Sequence, residues 1–134
     1  EDLIFIAVRD TEKQEDAIIE RLGIKNFKVD EVNQKGEAHI VAESLEKLAA
    51  CDIIYISFDV DSLDCDQISY GTGTPVKSGF SAEEVSTLLE LVISTGKVIC
   101  LEVAEINPLL DNKGNKMAET AFSILAKVEK QITQ

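Results

Sequence analysis

The chain predicts an α/β fold of three layers, with a parallel sheet between two layers of helices. Two observations carry this. Short apolar runs recur at residues 3–8, 53–58 and 97–103, as in strands covered on both faces. Between them lie segments with helical apolar spacing, bounded by capping residues at one end and glycine at the other.

Taken in order, residues 3–8 (Leu-Ile-Phe-Ile-Ala-Val) read as a strand. Thr11 opens a helix, with Gln14 in the reciprocal position of a capping box. Ala17, Ile18 and Leu22 form its apolar face and Gly23 stops it. Residues 26–29 make a short strand. Residues 36–49 place Ala38, Val41, Leu45 and Leu48 at the spacing of a surface helix. Residues 53–58 form the central strand. Ser81 and Glu84 make a second capping box and open a helix with Val85, Leu88, Leu89, Val92 and Ile93 on one side, closed by Gly96. Residues 97–103 are a further strand. Residues 117–129 are the last helix, with Ala118, Phe122, Leu125 and Val128 inward. The long connections, 62–80 and 106–115, follow strand C-termini, where long loops are often functional. There is no internal repeat, linker or low-complexity segment.

Composition narrows the function. With 134 residues, 45% of them apolar, the chain is one compact domain or part of a larger one. It has no run of 18 apolar residues to span a membrane and no basic segment of a signal peptide at Glu1-Asp2. A net charge of −12 repels nucleic acid and suits a cationic substrate or a metal. Most of those charges read as a solvated surface. Cys51, Cys65 and Cys100 are odd in number and follow no metal or disulfide spacing. They point to small buried thiols in a reducing, cytoplasmic setting.

Asp59 and Asp61 follow the central apolar run directly. Side chains at i and i+2 of an extended segment share a face, so both acids are expected to project from the C-terminal sheet edge, where open α/β sheets bind ligands. Arg9, Asp10, Glu12 and Glu15 follow the first strand, and Glu105 and Asn107 the last. Acids at strand ends also terminate strands, cap helices and form turns. Two close carboxylates otherwise call for a cation or a shared proton, and an all-oxygen set suits Mg²⁺, Ca²⁺ or Mn²⁺.

The run Ser57-Phe58-Asp59-Val60-Asp61-Ser62-Leu63-Asp64, with Gly71-Thr72-Gly73-Thr74-Pro75 after it, resembles a metal-binding signature of the ureohydrolases, the family of arginase and agmatinase. Glu105-Ile106-Asn107-Pro108 resembles the family's later Glu-x-Asn-Pro motif. The segment Arg9 to Glu15, followed by Leu22-Gly23-Ile24-Lys25, is similar to the first loop of arginases. The resemblance implies two Mn²⁺ per intact site and hydrolysis of L-arginine to L-ornithine and urea. It implies that Asp59 bridges the metals and Asp61 binds one of them. Glu105 would hold the guanidinium, with Thr74 beside the substrate. Glu12 and Glu15 would take the amino-acid end. Asp64 would be structural, and the intact protein a homo-oligomer.

Some positions depart from the family pattern. Cys65 stands where a proline is common, and Ser78-Gly79 replaces a Gly-Gly pair. The family's upstream metal-binding His and its Asp-x-His segment have no counterpart, and the single histidine, His39, matches no ligand. The chain is therefore expected to be the C-terminal part, residues 1–134, of one larger catalytic domain whose N-terminal part is absent here, and to be inactive alone. An agmatinase or other ureohydrolase is the alternative within the family. A non-catalytic binding module that keeps the fold is the alternative outside it.

Overall fold

Four parallel strands and five helices account for most of residues 2–132, which the computed structural model describes. They form two units, residues 1–52 and residues 53–134.

The first unit runs β1 (Ile4–Ile6), α1 (Lys13–Leu22), β2 (Lys25–Phe27), α2 (Val29–Lys35) and α3 (Glu37–Lys47). β1 and β2 pair in parallel, Ile4 opposite Lys25 and Ile6 opposite Phe27. The Ala7 amide donates to the Phe27 carbonyl at 2.8 Å and extends the ladder. Phe27, Val32, Ile40 and Val41 are buried at the centre. α1 starts one residue later than the sequence suggests. Glu12 is the N-cap, and its amide donates to Glu15 Oε2 at 2.7 Å, while the Thr11 hydroxyl turns to Asp16 Oδ1 at 2.6 Å. Gln14 therefore has no capping role. Gly23 ends the helix at φ 64°, as expected of an αL stop. The expected apolar face is not sealed, since Ile18 and Leu22 remain exposed.

The strand expected over 26–29 is cut short at Phe27. Val29 and Val32 are both buried, one helical turn apart, and Asp30 and Glu31 place negative charge at the N-terminus of α2. α3 turns Ile40, Val41 and Ser44 inward; of the expected row Val41 is buried, Leu45 and Leu48 are half-buried and Ala38 is exposed. His39 is exposed, 3.9 Å from Glu43. Glu31 is the charged hub of this unit, 3.0 Å from Lys25 and 2.9 Å from Lys35.

The second unit runs β3 (Ile54–Asp59), a 3-10 turn (Val60–Ser62), α4 (Ala82–Ile93), β4 (Val98–Ala104), a second 3-10 turn (Pro108–Leu110) and α5 (Lys116–Ile132). β3 and β4 are parallel, with Tyr55 opposite Cys100 and Asp59 opposite Ala104. The Ser81–Glu84 capping box forms as expected, the Ser81 amide donating to Glu84 Oε2 at 2.7 Å and the Glu84 amide to Ser81 Oγ at 3.2 Å. α4 packs on α5, with Val85, Leu88 and Leu89 buried on α4 and Met117, Ala121, Ile124 and Val128 on α5. The inward row of α5 is thus set about one position away from the expected one. Phe122 is 73% exposed and only Val128 is common to both rows.

β3 alternates more than its apolar composition suggests. Ile54 and Phe58 are buried, while Tyr55, Ser57 and Asp59 share the opposite, accessible face. Glu102 on β4 ties that face together. It accepts from Ser57 Oγ at 2.6 Å and from the Tyr55 hydroxyl, a bond that pushes the Tyr55 phenol up to about 12. Cys100 lies on the same face and is exposed, and Cys51 is half-buried, so only Cys65 is a buried thiol.

Residues 62–80 are bound back on themselves. The Phe80 amide donates to the Ser62 carbonyl at 2.9 Å and the Asp64 amide to the Phe80 carbonyl at 2.8 Å. Asp64 is structural, as expected: its Oδ1 accepts the Asp66 amide at 2.9 Å. Ser78, where the family pattern has glycine, sits at φ 58°, a conformation glycine adopts without strain. A Cβ on Gly79 would lie 2.6 Å from the Leu63 carbonyl. Gly79→Ala should therefore destabilise by about 1–3 kcal/mol, read from its urea unfolding midpoint.

A second expectation concerns Glu31. Hydrogen bonds from Lys35 and then Lys25 hold its carboxyl below the usual range. An acid with a depressed folded-state value stabilises above its unfolded value and loses that contribution as pH falls through the folded one. Glu31→Gln should cost about 1 kcal/mol or less at pH 7, because the partners remain solvated. The gap from wild type should close on acidification, in parallel unfolding curves.

Candidate functional site at the ends of β3 and β4

The parallel register brings the loops after β3 and β4 out at one edge of the second unit. Asp59 is the last residue of β3 and Glu105 follows the last residue of β4. Asp61 does not continue the strand, so the two acids are not related by strand pleat. It lies in the 3-10 turn, whose first amides need acceptors, and the Asp61 amide donates to Asp59 Oδ1 at 2.8 Å. Asp59 is therefore both a turn cap and a member of the acid pair.

Partial dehydration is the main reason the Asp59 carboxyl is held above its usual range. The nearby charges of Asp61 and Glu105 add to it, against the opposing Asp61 amide. Excess negative charge thus gathers at this edge. Glu105 stands at φ 68°, a left-handed conformation rare for a side chain with a Cβ. Its Oε2 lies beside Gly73, at ordinary contact distance (3.7 Å) from where a Cβ would stand. Glu102, the other glutamate of β4, is committed to Ser57 and Tyr55 and takes no part in this cluster.

Two threonines hold Asp61. The Thr74 hydroxyl donates to Asp61 Oδ2 at 2.5 Å, and the Thr72 hydroxyl donates to Asp61 Oδ1. Thr74 was legible as a site residue and Thr72 was not. Thr72 is 1% exposed, and its role depends on the fold of residues 62–80. The two loops are joined behind it: Thr72 bridges to Ile106, and the Asn107 amide donates to the Gly71 carbonyl at 2.8 Å.

Glu12 and Glu15 belong to the first unit, where they are neighbours at the start of α1. The loop before them is strained, with Ala7 at φ 62° and Asp10 at φ 53°. Arg9 reaches back to the Ala7 carbonyl at 3.2 Å.

The donors at the β3–β4 edge are hard carboxylate oxygens, matched in type to a hard divalent cation, and Asp61 and Glu105 add their charges to the dehydration that raises the Asp59 carboxyl. In type they fit manganese. In number they supply only part of a coordination shell. Among the described residues no group of three or more His, Cys, Asp or Glu side chains is arranged to hold a metal ion.

The chain belongs to the arginase family, whose family model matches residues 1–129. It is similar to the arginase of Bacillus subtilis (strain 168), 33% identical over 125 residues, which are 93% of this chain and 42% of that protein. It is 34% identical to mouse arginase-1 over 127 residues, 93% of this chain and 39% of that protein. The crystal structure of Helicobacter pylori arginase superposes with a TM-score of 0.88 at 31% identity, covering 96% of this chain and 43% of that one. The chain spans less than half the length of these relatives.

The strain at Glu105 generates a prediction. Glu105→Gly should be more stable than Glu105→Ala by about 1 kcal/mol, because only glycine adopts this φ without penalty. Equal denaturation midpoints for the two variants would show that the backbone relaxes instead.

Proposed function

We propose that residues 1–134 are the C-terminal part of one arginase-like catalytic domain, and that the whole protein is a manganese-dependent arginase hydrolysing L-arginine to L-ornithine and urea. The observation that carries this reading is the cluster of Asp59, Asp61 and Glu105 at the β3–β4 edge of an arginase-family chain. The chain's coverage of 42% of the Bacillus subtilis arginase supports the placement within a longer domain.

Asp59 and Asp61 would hold manganese, completing its shell with ligands from outside this chain. Bound there, the metal supplies Lewis acidity and a water activated for attack at neutral pH. Glu105 pairs with the guanidinium and fixes its plane, using a charge-assisted bond that orients as well as binds. Thr74, engaged with Asp61, borders the same site. Glu12 and Glu15 take the α-ammonium of arginine, by the likeness of their segment to the first loop of arginases. Agmatine keeps an ammonium and lacks only the α-carboxylate, so the preference for arginine in this reading rests on the likeness of the segment to the arginase loop. Cysteines held outside disulfides suit a reducing cytoplasm, and the whole protein is a homo-oligomer in this reading.

The test is metal content and urea release by the full-length protein, wild type and Asp61→Asn, with arginine and agmatine as substrates. A neutral amide is a poorer ligand for a hard dication, so Asp61→Asn should lose manganese and activity by orders of magnitude. Full metal content and turnover in that variant would sink the assignment. Wild-type preference for agmatine would convert the enzyme to an agmatinase.

A further inference from the structure

The orientation of Asp61 is set from behind the site. Its Oδ1 is held by Thr72, a buried residue whose loop is joined on one side to Ile106 and Asn107. Three successive residues before Thr72 are each fixed to the segment that leads into α5. The Ser69 hydroxyl, fully buried, donates to Asp111 Oδ2 at 2.9 Å. The Tyr70 amide donates to Asn112 Oδ1 at 2.9 Å. Gly71 passes so close that a Cβ would lie 2.5 Å from Asp111 Oδ2 and 2.6 Å from Met117 Cβ.

Asp111 is itself immobilised. Its Oδ2 also accepts the Met117 amide at 2.8 Å, and its Oδ1 accepts the Lys113 amide at 2.8 Å. Met117 is buried and begins the inward row of α5. A carboxylate with three donors on two oxygens, next to a glycine that admits no side chain, leaves this loop one way to sit. We propose that Asp111 is a positioning residue for the metal ligand Asp61, acting through Ser69 and Gly71 to fix the Thr72 hydroxyl against Asp61 Oδ1.

Nothing in this arrangement touches substrate. Ligand orientation by hydrogen bonds from outside the coordination shell is a known determinant of metal affinity, with losses of about 10–100-fold when the partner is removed. The donor pattern makes Asp111→Asn informative. Both oxygens accept, so an amide must set its own N–H₂ against either the Lys113 amide or the Ser69 and Met117 pair. Ser69→Ala is the milder companion, removing one donor and leaving Asp111 with both amides.

The inference rests on the arginase reading for the identity of the metal. Manganese titration by calorimetry on the full-length protein, at a temperature well below unfolding, reads it directly. Asp111→Asn should weaken manganese binding about tenfold, and Ser69→Ala about threefold, with arginine KM at saturating manganese unchanged. Thr72→Val should match Asp111→Asn. The double variant should lose no more than Thr72→Val alone, because both changes break one chain of contacts. Lowered thermal stability with wild-type manganese affinity in both Asp111→Asn and Ser69→Ala would reduce Asp111 to a structural residue and overturn the proposal. Additive losses in the double variant would overturn the route through Thr72. A wild type that binds manganese and leaves arginine untouched overturns the arginase reading alone. One that binds no manganese overturns both.

Discussion

The parallel pairing of β3 with β4 is the constraint on which the candidate site depends. Parallel strands end at the same edge, so the residues that follow them are neighbours whatever the length of chain between. With Asp59 opposite Ala104, Glu105 has to emerge beside the aspartates. The two loops then close over each other through the Thr72–Ile106 bridge and the Asn107–Gly71 hydrogen bond. A slip of one residue would turn Asp59 to the face of Phe58 and separate it from the others.

Charge and conformation at this edge work against stability. Asp59 is dehydrated beside two other acids, and Glu105 occupies a left-handed conformation. Such features persist when surrounding contacts over-determine them. Those contacts are visible: the Asp61 amide on Asp59, two threonine hydroxyls on Asp61, and the Asp111 anchor behind the loop.

Much of this was legible in the sequence because it rests on local signals. The Ser81–Glu84 capping box, the glycine stop at Gly23 and the apolar runs of the strands each depend on residues within one turn or one strand. Motifs singled out Asp59, Asp61, Thr74 and Glu105; in the structure Thr74 bonds Asp61, and Glu105 lies near enough to Asp59 for its charge to act there. What was not legible depends on partners far along the chain. The inward row of α5 is chosen by α4, and periodicity alone did not separate Met117, Ala121 and Ile124 from Ala118, Phe122 and Leu125. α2 was hidden because Phe27 and Val29 alternate with Asn26 and Lys28, as in a strand. Thr72 and Asp111 look like ordinary loop residues until residues 62–80 are folded against the start of α5. The pair Asp59–Asp61 was found for a reason that does not hold in detail, since a 3-10 turn and not a strand pleat brings them together.

The spacing of the paired strands also bears on how the chain acquires its structure during synthesis. Ser57 and Glu102, which meet across β3 and β4, are 45 residues apart. A ribosome extrudes β3 long before its partner exists. In that interval a short segment rich in Ile, Tyr and Phe stands with open backbone donors and acceptors, the composition that promotes intermolecular strand pairing. Contacts this distant in sequence are slow to form, because the loop must be closed before pairing gives anything back. The charged pair at its end, Asp59 and Asp61, then has a part to play before any substrate is met. Like charges on neighbouring nascent chains repel and discourage the strand from finding the wrong partner.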